Sequence, residues 1–390
     1  MGNRAYGRVL RRREAIFATR NLLSSCLVAF FLLRCNDGNV QAFQSVIPLK
    51  SSRGIILSAA PQSSVPAPIG VTAETVTFPN TGLSMEVLSA KSHSSSSSGP
   101  DNILAALSSF FWPKVRRKQP LVFIHGSFHS AWCWAEHFLP FFAARGYDSY
   151  AISCRGTFPS PSPNQEASIT INTHAADLRD FLRVAFPPSE QDTPQPILIG
   201  HSFGGAILLK LLEQPTPSPL RGVAFLCSVP PSGNGPMTAR FLKRDFILAL
   251  KIVLGFVAKK GAEWDWLCQE LFFSPSLPPD LLRKYKKRLK KDSVVGIDVK
   301  DFLKELPVLR ADGATGQGRW VKEVPSRLVI GAERDKLVDK EGVEETARFV
   351  DAEPPVFLPT AHDAMLDPEW RLAANALLQW LNAMDQAVKK

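Results

Sequence analysis

The stretch "ILIGHSFGGAI", Ile197 to Ile207, changes character halfway along. Its opening is aliphatic and β-branched with no polar alternation, the pattern of a short strand buried on both faces. Gly200, Gly204 and Gly205 then suit a sharp turn that lets two backbones approach closely. One hydroxyl, Ser202, sits at the apex, and "GGAILLKLLEQ" (204–214) reads as the helix that follows. Gly-x-Ser-x-Gly between a buried strand and a helix is the context in which a nucleophile elbow forms. The turn lifts the hydroxyl clear of the sheet, and the helix aims its N-terminal amides and positive dipole end at the same point. An oxyanion formed there meets the backbone N–H of Phe203. A serine hydroxyl attacks poorly unless a base takes its proton, so the rest of the chain must supply a histidine.

On either side, strands and helices alternate. "LVFIHG" (121–126) reads as a strand, 131–146 as a helix closed by glycine, 148–156 as a strand and 174–186 as a helix. Beyond the elbow come strands at 221–228, 326–332 and 356–361, a helix near 341–350 and a last helix at 368–384. This repetition predicts an α/β fold, a mostly parallel β-sheet with helices on both faces. The core is expected in two parts, 119–228 and 321–390, separated by an inserted helical cap over 229–320. Within the cap, helices are expected at 237–259, 263–272, 279–291 and 298–306, and the apolar run "FILALKIVLGFV" (246–257) needs a partner for its face. Residues 71–118 read as two strands around a Pro-Asn-Thr-Gly turn, followed by a low-complexity insertion with the serine run 94–98.

The first 70 residues stand apart. Six arginines precede "LLSSCLVAFFLL" (22–33), which is short for a bilayer span but fits the apolar region of a signal peptide, with "VQA" at 40–42 as a cleavage site. Residues 43–70 carry two basic residues, six serines and no acid, the composition of a transit peptide. Together, 1–42 and 43–70 predict delivery to a plastid through a bipartite leader, with the secretory pathway as the alternative.

The net charge of +10 is unevenly spread. Residues 1–70 carry nine Lys/Arg against two acids, and 237–310 carry sixteen against nine, while the remainder is net negative. No zinc-finger spacing, RNA-binding sheet signature or helix-turn-helix accompanies this charge, so a nucleic-acid partner is not expected. In "RKYKKRLKK" (283–291), Tyr285 and Leu289 continue a four-residue repeat from Leu281, which makes an amphipathic helix with a charged outer face. Peripheral contact of this basic cap helix with anionic membrane lipids is the partner expectation beyond substrate. The six cysteines form no Cys-x-x-Cys pair, so neither a disulfide framework nor a zinc site is expected, and no cofactor or metal.

Seven histidines are candidates for the base. His93 lies in the serine run, and His137 and His174 fall in helical stretches. His201 adjoins the serine, where its side chain should point away. His125 reads as a buried hydrogen-bonding residue that shapes its loop, and His129 as a pocket-lining candidate. Trp132 and Trp134 read as helix packing. His362, in the late loop "PTAHDAMLDP", stands where the base belongs in the order Ser, acid, His. The orienting acid should end the preceding strand, where "VIGAERDKLVD" offers Asp335, with Glu333 and Asp339 as alternatives.

"FIHGSFHSAWCW", "GHSFGG", "GAERD" and "AHDAMLDPEW", in this order, resemble the α/β-hydrolase superfamily. "HGSFHSAWCW" is similar to the plant methylesterase and hydroxynitrile lyase branch and to related bacterial hydrolases. The resemblance, over roughly 119–388, implies a cofactor-free Ser202–His362–Asp335 triad and a second oxyanion donor at the Ser127 backbone N–H, beside Gly126. In the lyases a lysine follows the catalytic histidine and a threonine stands at the place of Gly126. Asp363 and Gly126 therefore disfavour cyanohydrin chemistry. "CRGTFPSP" (154–161) keeps only Arg155-Gly156 of the Gly-His-Gly turn that many relatives carry. The expected function is a serine hydrolase for small apolar carboxylic esters. The alternatives are a slow-turnover or non-catalytic binding protein of the same fold, or an acyltransferase or lyase using the same triad.

Overall fold

The computed structural model describes residues 68–78, 81–92, 118–162, 166, 168–187, 195–256, 258–292 and 295–387. The leader expected over 1–42, nearly all of 43–70 and most of the 91–118 insertion lie outside the described residues.

Strands β1 (Thr72–Thr77), β2 (Ser84–Ala90) and β3 (Leu121–Ile124) open the fold. Two short helices follow, α1 (Trp132–Ala135) and α2 (Phe138–Ala143), and then β4 (Ser149–Ile152) and β5 (Ser168–Ile169). Helix α3 (Ile171–Ala185) leads to β6 (Ile197–His201), α4 (Phe203–Leu212) and β7 (Gly222–Leu226). The segment before the next long strand holds α5 (Asn234–Arg244), α6 (Phe246–Phe256), α7 (Asp265–Phe272), α8 (Pro279–Asp292), β8 (Gly296–Ile297) and α9 (Val299–Lys304). Strand β9 (Arg327–Ala332), α10 (Lys340–Phe349), β10 (Val356–Leu358) and α11 (Trp370–Ala387) complete it.

Eight strands form one sheet in the order β1-β2-β4-β3-β6-β7-β9-β10. The two pairings at the β1 end are antiparallel and the rest are parallel. Strands β3, β6 and β7 are buried at every residue, which explains why they read as unbroken apolar runs. Alternate side chains feed two cores. Phe123, Ile197, Ile199 and Ala224 pack with Trp134, Phe142 and Leu377 on one face. Val122, Ile124, Leu198 and Phe225 pack with Leu178, Phe181 and Leu208 on the other. The strand order reverses direction at β3, and in open sheets of this kind the crevice at the carboxyl ends of the strands takes the ligand.

Three expectations differ in detail. The helix expected at 131–146 is two, parted at His137, whose φ of −136° is not helical, ahead of Pro140 in the first turn of α2. The helix expected over 237–259 breaks at Asp245, whose carboxylate accepts from the Leu248 N–H at 2.9 Å and so starts α6 afresh. On α8 the buried residues are Leu282, Tyr285, Leu289 and Asp292, and Leu281 is only half-buried. Cys133, Cys154, Cys227 and Cys268 are free and buried.

Candidate active site

Ser202 lies between the last residue of β6 and the first of α4, with φ 52° and ψ −120°. A non-glycine residue rarely holds this left-handed geometry, and strain of this kind persists only when the surroundings over-determine it. Here they do. The Ser202 N–H donates to the Leu226 carbonyl at 3.1 Å, and its own carbonyl accepts from Gly205 at 3.0 Å and Val229 at 3.1 Å. The neighbouring glycines are required by contact. A Cβ at Gly204 would lie 2.5 Å from the Ile124 carbonyl oxygen, and one at Gly200 would lie 2.7 Å from the Gly204 carbonyl oxygen. A Cβ at Gly126 would come 2.7 Å from the Cβ of Ser202, so the loop after β3 rests directly on the serine. Ser202 is 9% exposed.

Two backbone amides are left for a ligand. Among the described residues, neither the Ser127 N–H nor the Phe203 N–H has a protein acceptor. The loop carrying the first is held by its histidines. His125 is sealed in the core, and burial drives its pKa down to about 3, so it is a neutral imidazole. Its Nε2 accepts from the Cys154 N–H at 2.9 Å, and its Nδ1–H donates to the Gly126 carbonyl at 2.8 Å. His129 donates from Nδ1 to the Ser127 carbonyl at 2.8 Å, and its Nε2 meets the Asp363 carboxylate at 2.9 Å. Phe128, between them, has φ 68° and packs its ring against Phe256 of α6 and Phe272 of α7, with centroids 5.1 and 6.0 Å away.

His362 and Asp335 come together at the carboxyl ends of β10 and β9. The His362 Nδ1–H donates to Asp335 Oδ2 at 2.8 Å, while Asp335 Oδ1 accepts from the Leu337 and Val338 amides at 2.7 and 2.9 Å. Burial pulls the His362 pKa down, but the adjacent Asp335 charge and hydrogen bond outweigh it and leave the imidazole above its ordinary value. The two alternative acids are elsewhere. Glu333 is exposed, and Asp339 caps α10 through the Gly342 N–H at 3.0 Å while holding Arg240. His201 turns away from the serine, as its position demands, and its Nε2–H donates to the His362 carbonyl at 3.0 Å. The Ser202 hydroxyl itself makes no hydrogen bond among the described residues, and catalytic hydrogen bonds commonly tighten only when substrate binds.

Among the described residues, two side-chain groups bring three metal-donor atoms within 4.8 Å, namely His201–His362–Asp363 and Cys227–Asp335–His362. Both depend on His362, whose Nδ1 is already bonded to Asp335, and burial pushes the Cys227 thiol well up, away from the thiolate a metal needs. The arrangement therefore suits proton handling better than ion binding.

The His129–Asp363 contact was not foreseen from the sequence, where Asp363 figured only as a departure from the lyase lysine. Its partners are 234 residues apart, and nothing local marks them as neighbours. Arg155 and Asp177 form a second buried contact of this kind, bidentate at 2.8 and 2.7 Å, tying the loop after β4 to α3.

The model of the alpha/beta hydrolase family matches residues 121–374, which span both parts of the sheet and the helices between them. The probable esterase PIR7A of Oryza sativa subsp. indica is 27% identical over 139 residues, covering 34% of this chain and 50% of that protein. The chain thus spans about half the length of the curated relatives it matches. Among solved structures, an esterase from Exiguobacterium antarcticum superposes with a TM-score of 0.51 at 17% identity, covering 79% of this chain and 98% of that one. A carboxylesterase structure from Nitrososphaera gargenis gives 0.53 at 13% identity, covering 80% and 99%. These structural likenesses speak for the fold.

Proposed function

The chain belongs to the α/β hydrolase family, and from that premise we propose that it is a serine hydrolase of carboxylic esters. Ser202 is its nucleophile, His362 the general base and then acid, and Asp335 the group that fixes the imidazole. The observation that carries this reading is the 2.8 Å bond from His362 Nδ1 to Asp335, which leaves Nε2 to take a proton, on a loop bonded to the residue beside a strained serine.

In the proposed cycle His362 accepts the Ser202 proton as Oγ attacks the ester carbonyl. The tetrahedral oxyanion forms between the Ser127 and Phe203 amides, which have no protein acceptor to give up. His362 then protonates the departing alkoxide, and water repeats the sequence to release the acid. Asp335 stabilises the imidazolium and does not take its proton. Phe128, Phe256 and Phe272 cluster beside the loop, and Phe272 also approaches the His362 ring, with centroids 6.4 Å apart. These rings favour an apolar acyl or alcohol portion. Asp363, buried against His129, offers no cation for a cyanide leaving group.

Hydrolysis of p-nitrophenyl esters from acetate to palmitate, with Ser202→Ala and His362→Ala beside the parent, tests the reading. Turnover abolished by both substitutions supports it. Fluorophosphonate labelling at Ser202 without ester turnover would favour a narrow substrate or another acyl acceptor. A folded protein that neither turns over esters nor takes the label would return the site to ligand binding.

A further inference from the structure

Helix α6 buries only Ala249 and Gly255 fully. Phe246, Ile247 and Leu250, one helical face of it, are each more than half exposed, and Leu242 at the end of α5 adds to them. This apolar strip runs on into α7. Lys251 lies 5.9 Å from the Trp266 ring, and Trp266 stacks on Trp264 with centroids 6.0 Å apart. Both tryptophans are exposed, and Lys260 stands 5.9 Å from the Trp264 ring. A contiguous apolar surface with this composition is uncommon on a soluble protein unless it meets a partner.

The charges around the strip say which partner. Its acids are occupied: Glu270 with Lys251, Glu263 with Lys260, Asp265 with Lys286, and Asp245 on the Leu248 amide. Lys243 and Lys259 flank the two ends of the strip and have no acidic partner among the described residues. Lys290 of α8 lies close enough to act on Glu263, also without a carboxylate of its own. The result is an aliphatic and tryptophan strip edged by uncompensated lysines. Tryptophan belongs at the boundary between headgroups and acyl chains, and lysine reaches to anionic headgroups. Among the described residues no helix is long and apolar enough to cross a membrane.

We propose that the α6–α7 face is a docking surface for an anionic lipid bilayer, with Phe246, Ile247, Leu250, Trp264 and Trp266 entering the interface. The sequence suggested lipid contact through the basic helix α8. The structure moves the apolar part of that contact to α6 and α7 and leaves α8 an electrostatic share. This proposal does not depend on Ser202 being a nucleophile.

The test is co-sedimentation of the full chain with vesicles of equimolar phosphatidylglycerol and phosphatidylcholine, against phosphatidylcholine alone. The parent is compared with Phe246→Ser/Ile247→Ser/Leu250→Ser, all solvent-facing changes that leave both cores intact. Because the apolar stretch 22–33 is present in both, the difference between them is what is read. The expected result is stronger partition to the anionic vesicles and a loss of at least about tenfold in the variant, from the apolar area withheld. Brominated acyl chains should quench the parent's tryptophan fluorescence, and Trp264→Phe/Trp266→Phe should lose that quenching. Equal binding by the triple variant overturns the proposal, as does no preference for the anionic vesicles. A vesicle-free dimer that the triple variant dissolves assigns the face to a second copy and overturns it as well.

Discussion

His129 Nε2 and Asp363 Oδ2 meet at 2.9 Å, both completely shielded from water, and this bond joins the loop bearing Ser127 to the residue after His362. The two ring nitrogens of His129 face the Ser127 carbonyl and the Asp363 carboxylate, so one buried ring ties two parts of the chain together. The Asp363 N–H also donates to the Phe272 carbonyl at 2.9 Å, which extends the link to α7. Asp363→Ala leaves His129 buried without its partner and should cost about 3–5 kcal/mol in urea unfolding. Asp363→Asn keeps the shape, and should cost less stability while lowering kcat more than it changes KM. An Asp363→Ala protein as stable as the parent would remove this joint from the account.

The pH profile follows from the His362–Asp335 bond. The base must be neutral to accept the serine proton, and its folded-state pKa is raised, Asp335 outweighing burial. The acid limb of kcat/KM for ester hydrolysis should therefore lie above the ordinary histidine value of about 6.5. Asp335→Asn should move that limb to lower pH and reduce kcat by about 10⁴. The same shift has a stability counterpart. A raised pKa means the folded state holds the proton more tightly, so the contribution is full below the unfolded value and fades as pH rises through the folded one. A limb below the ordinary value would contradict the assignment of His362.

Gly126 and Gly204 should respond differently to alanine. At Gly126 the obstacle is the Ser202 side chain at 2.7 Å, so the loop can retreat and carry the Ser127 amide out of place. Gly126→Ala should fold and lose about 10²–10³ in kcat, the usual effect of an absent oxyanion donor. At Gly204 the obstacles are main-chain carbonyl oxygens, that of Ile124 at the end of β3 at 2.5 Å and that of His125 just after it at 2.6 Å, and the Ile124 oxygen cannot retreat without shifting the sheet. Gly204→Ala should cost about 3 kcal/mol or more. Thermal melts beside steady-state kinetics separate the two outcomes.

The Arg155–Asp177 pair calls for a double-mutant cycle. Each side chain is nearly buried, and Glu166 lies 3.7 Å from the guanidinium as a weaker third member. Arg155→Met alone strands a buried carboxylate and should destabilise by about 3–5 kcal/mol. Adding Asp177→Leu should recover most of that loss, because an apolar pair of similar volume avoids the desolvation of both ions. Simple additivity in denaturant unfolding would show that the pair is not coupled.

What the sequence made legible was what is encoded locally. Strands buried on both faces announce themselves as apolar runs, and the elbow's glycines lie within a few residues of Ser202. His362 and the acids near Asp335 could be placed because each follows a strand in a fixed order. The choice among Glu333, Asp335 and Asp339 turns on where β9 ends and which carboxylate then faces β10, a matter of tertiary geometry. The His129–Asp363 bond and the β5–β8 pairing join distant parts of the chain and leave no local mark. The break at Asp245 was masked by the apolar residues after it, and the exposure of Phe246 and Ile247 runs against the ordinary expectation for such residues.

The contacts at Gly200 and Gly204 set what this protein's descendants can inherit. The atoms nearest a methyl group there are main chain, from the end of β3, from His125 just after it and from the first turn of α4. A methyl group at either position can be accommodated only by moving backbone. The helices between β7 and β9 reach the serine's loop through ring contacts, Phe128 with Phe256 and Phe272, which other side chains can replace. One molecule thus holds two rates of possible change. A lineage can repack the helices above Ser202 while the turn that holds it stays fixed.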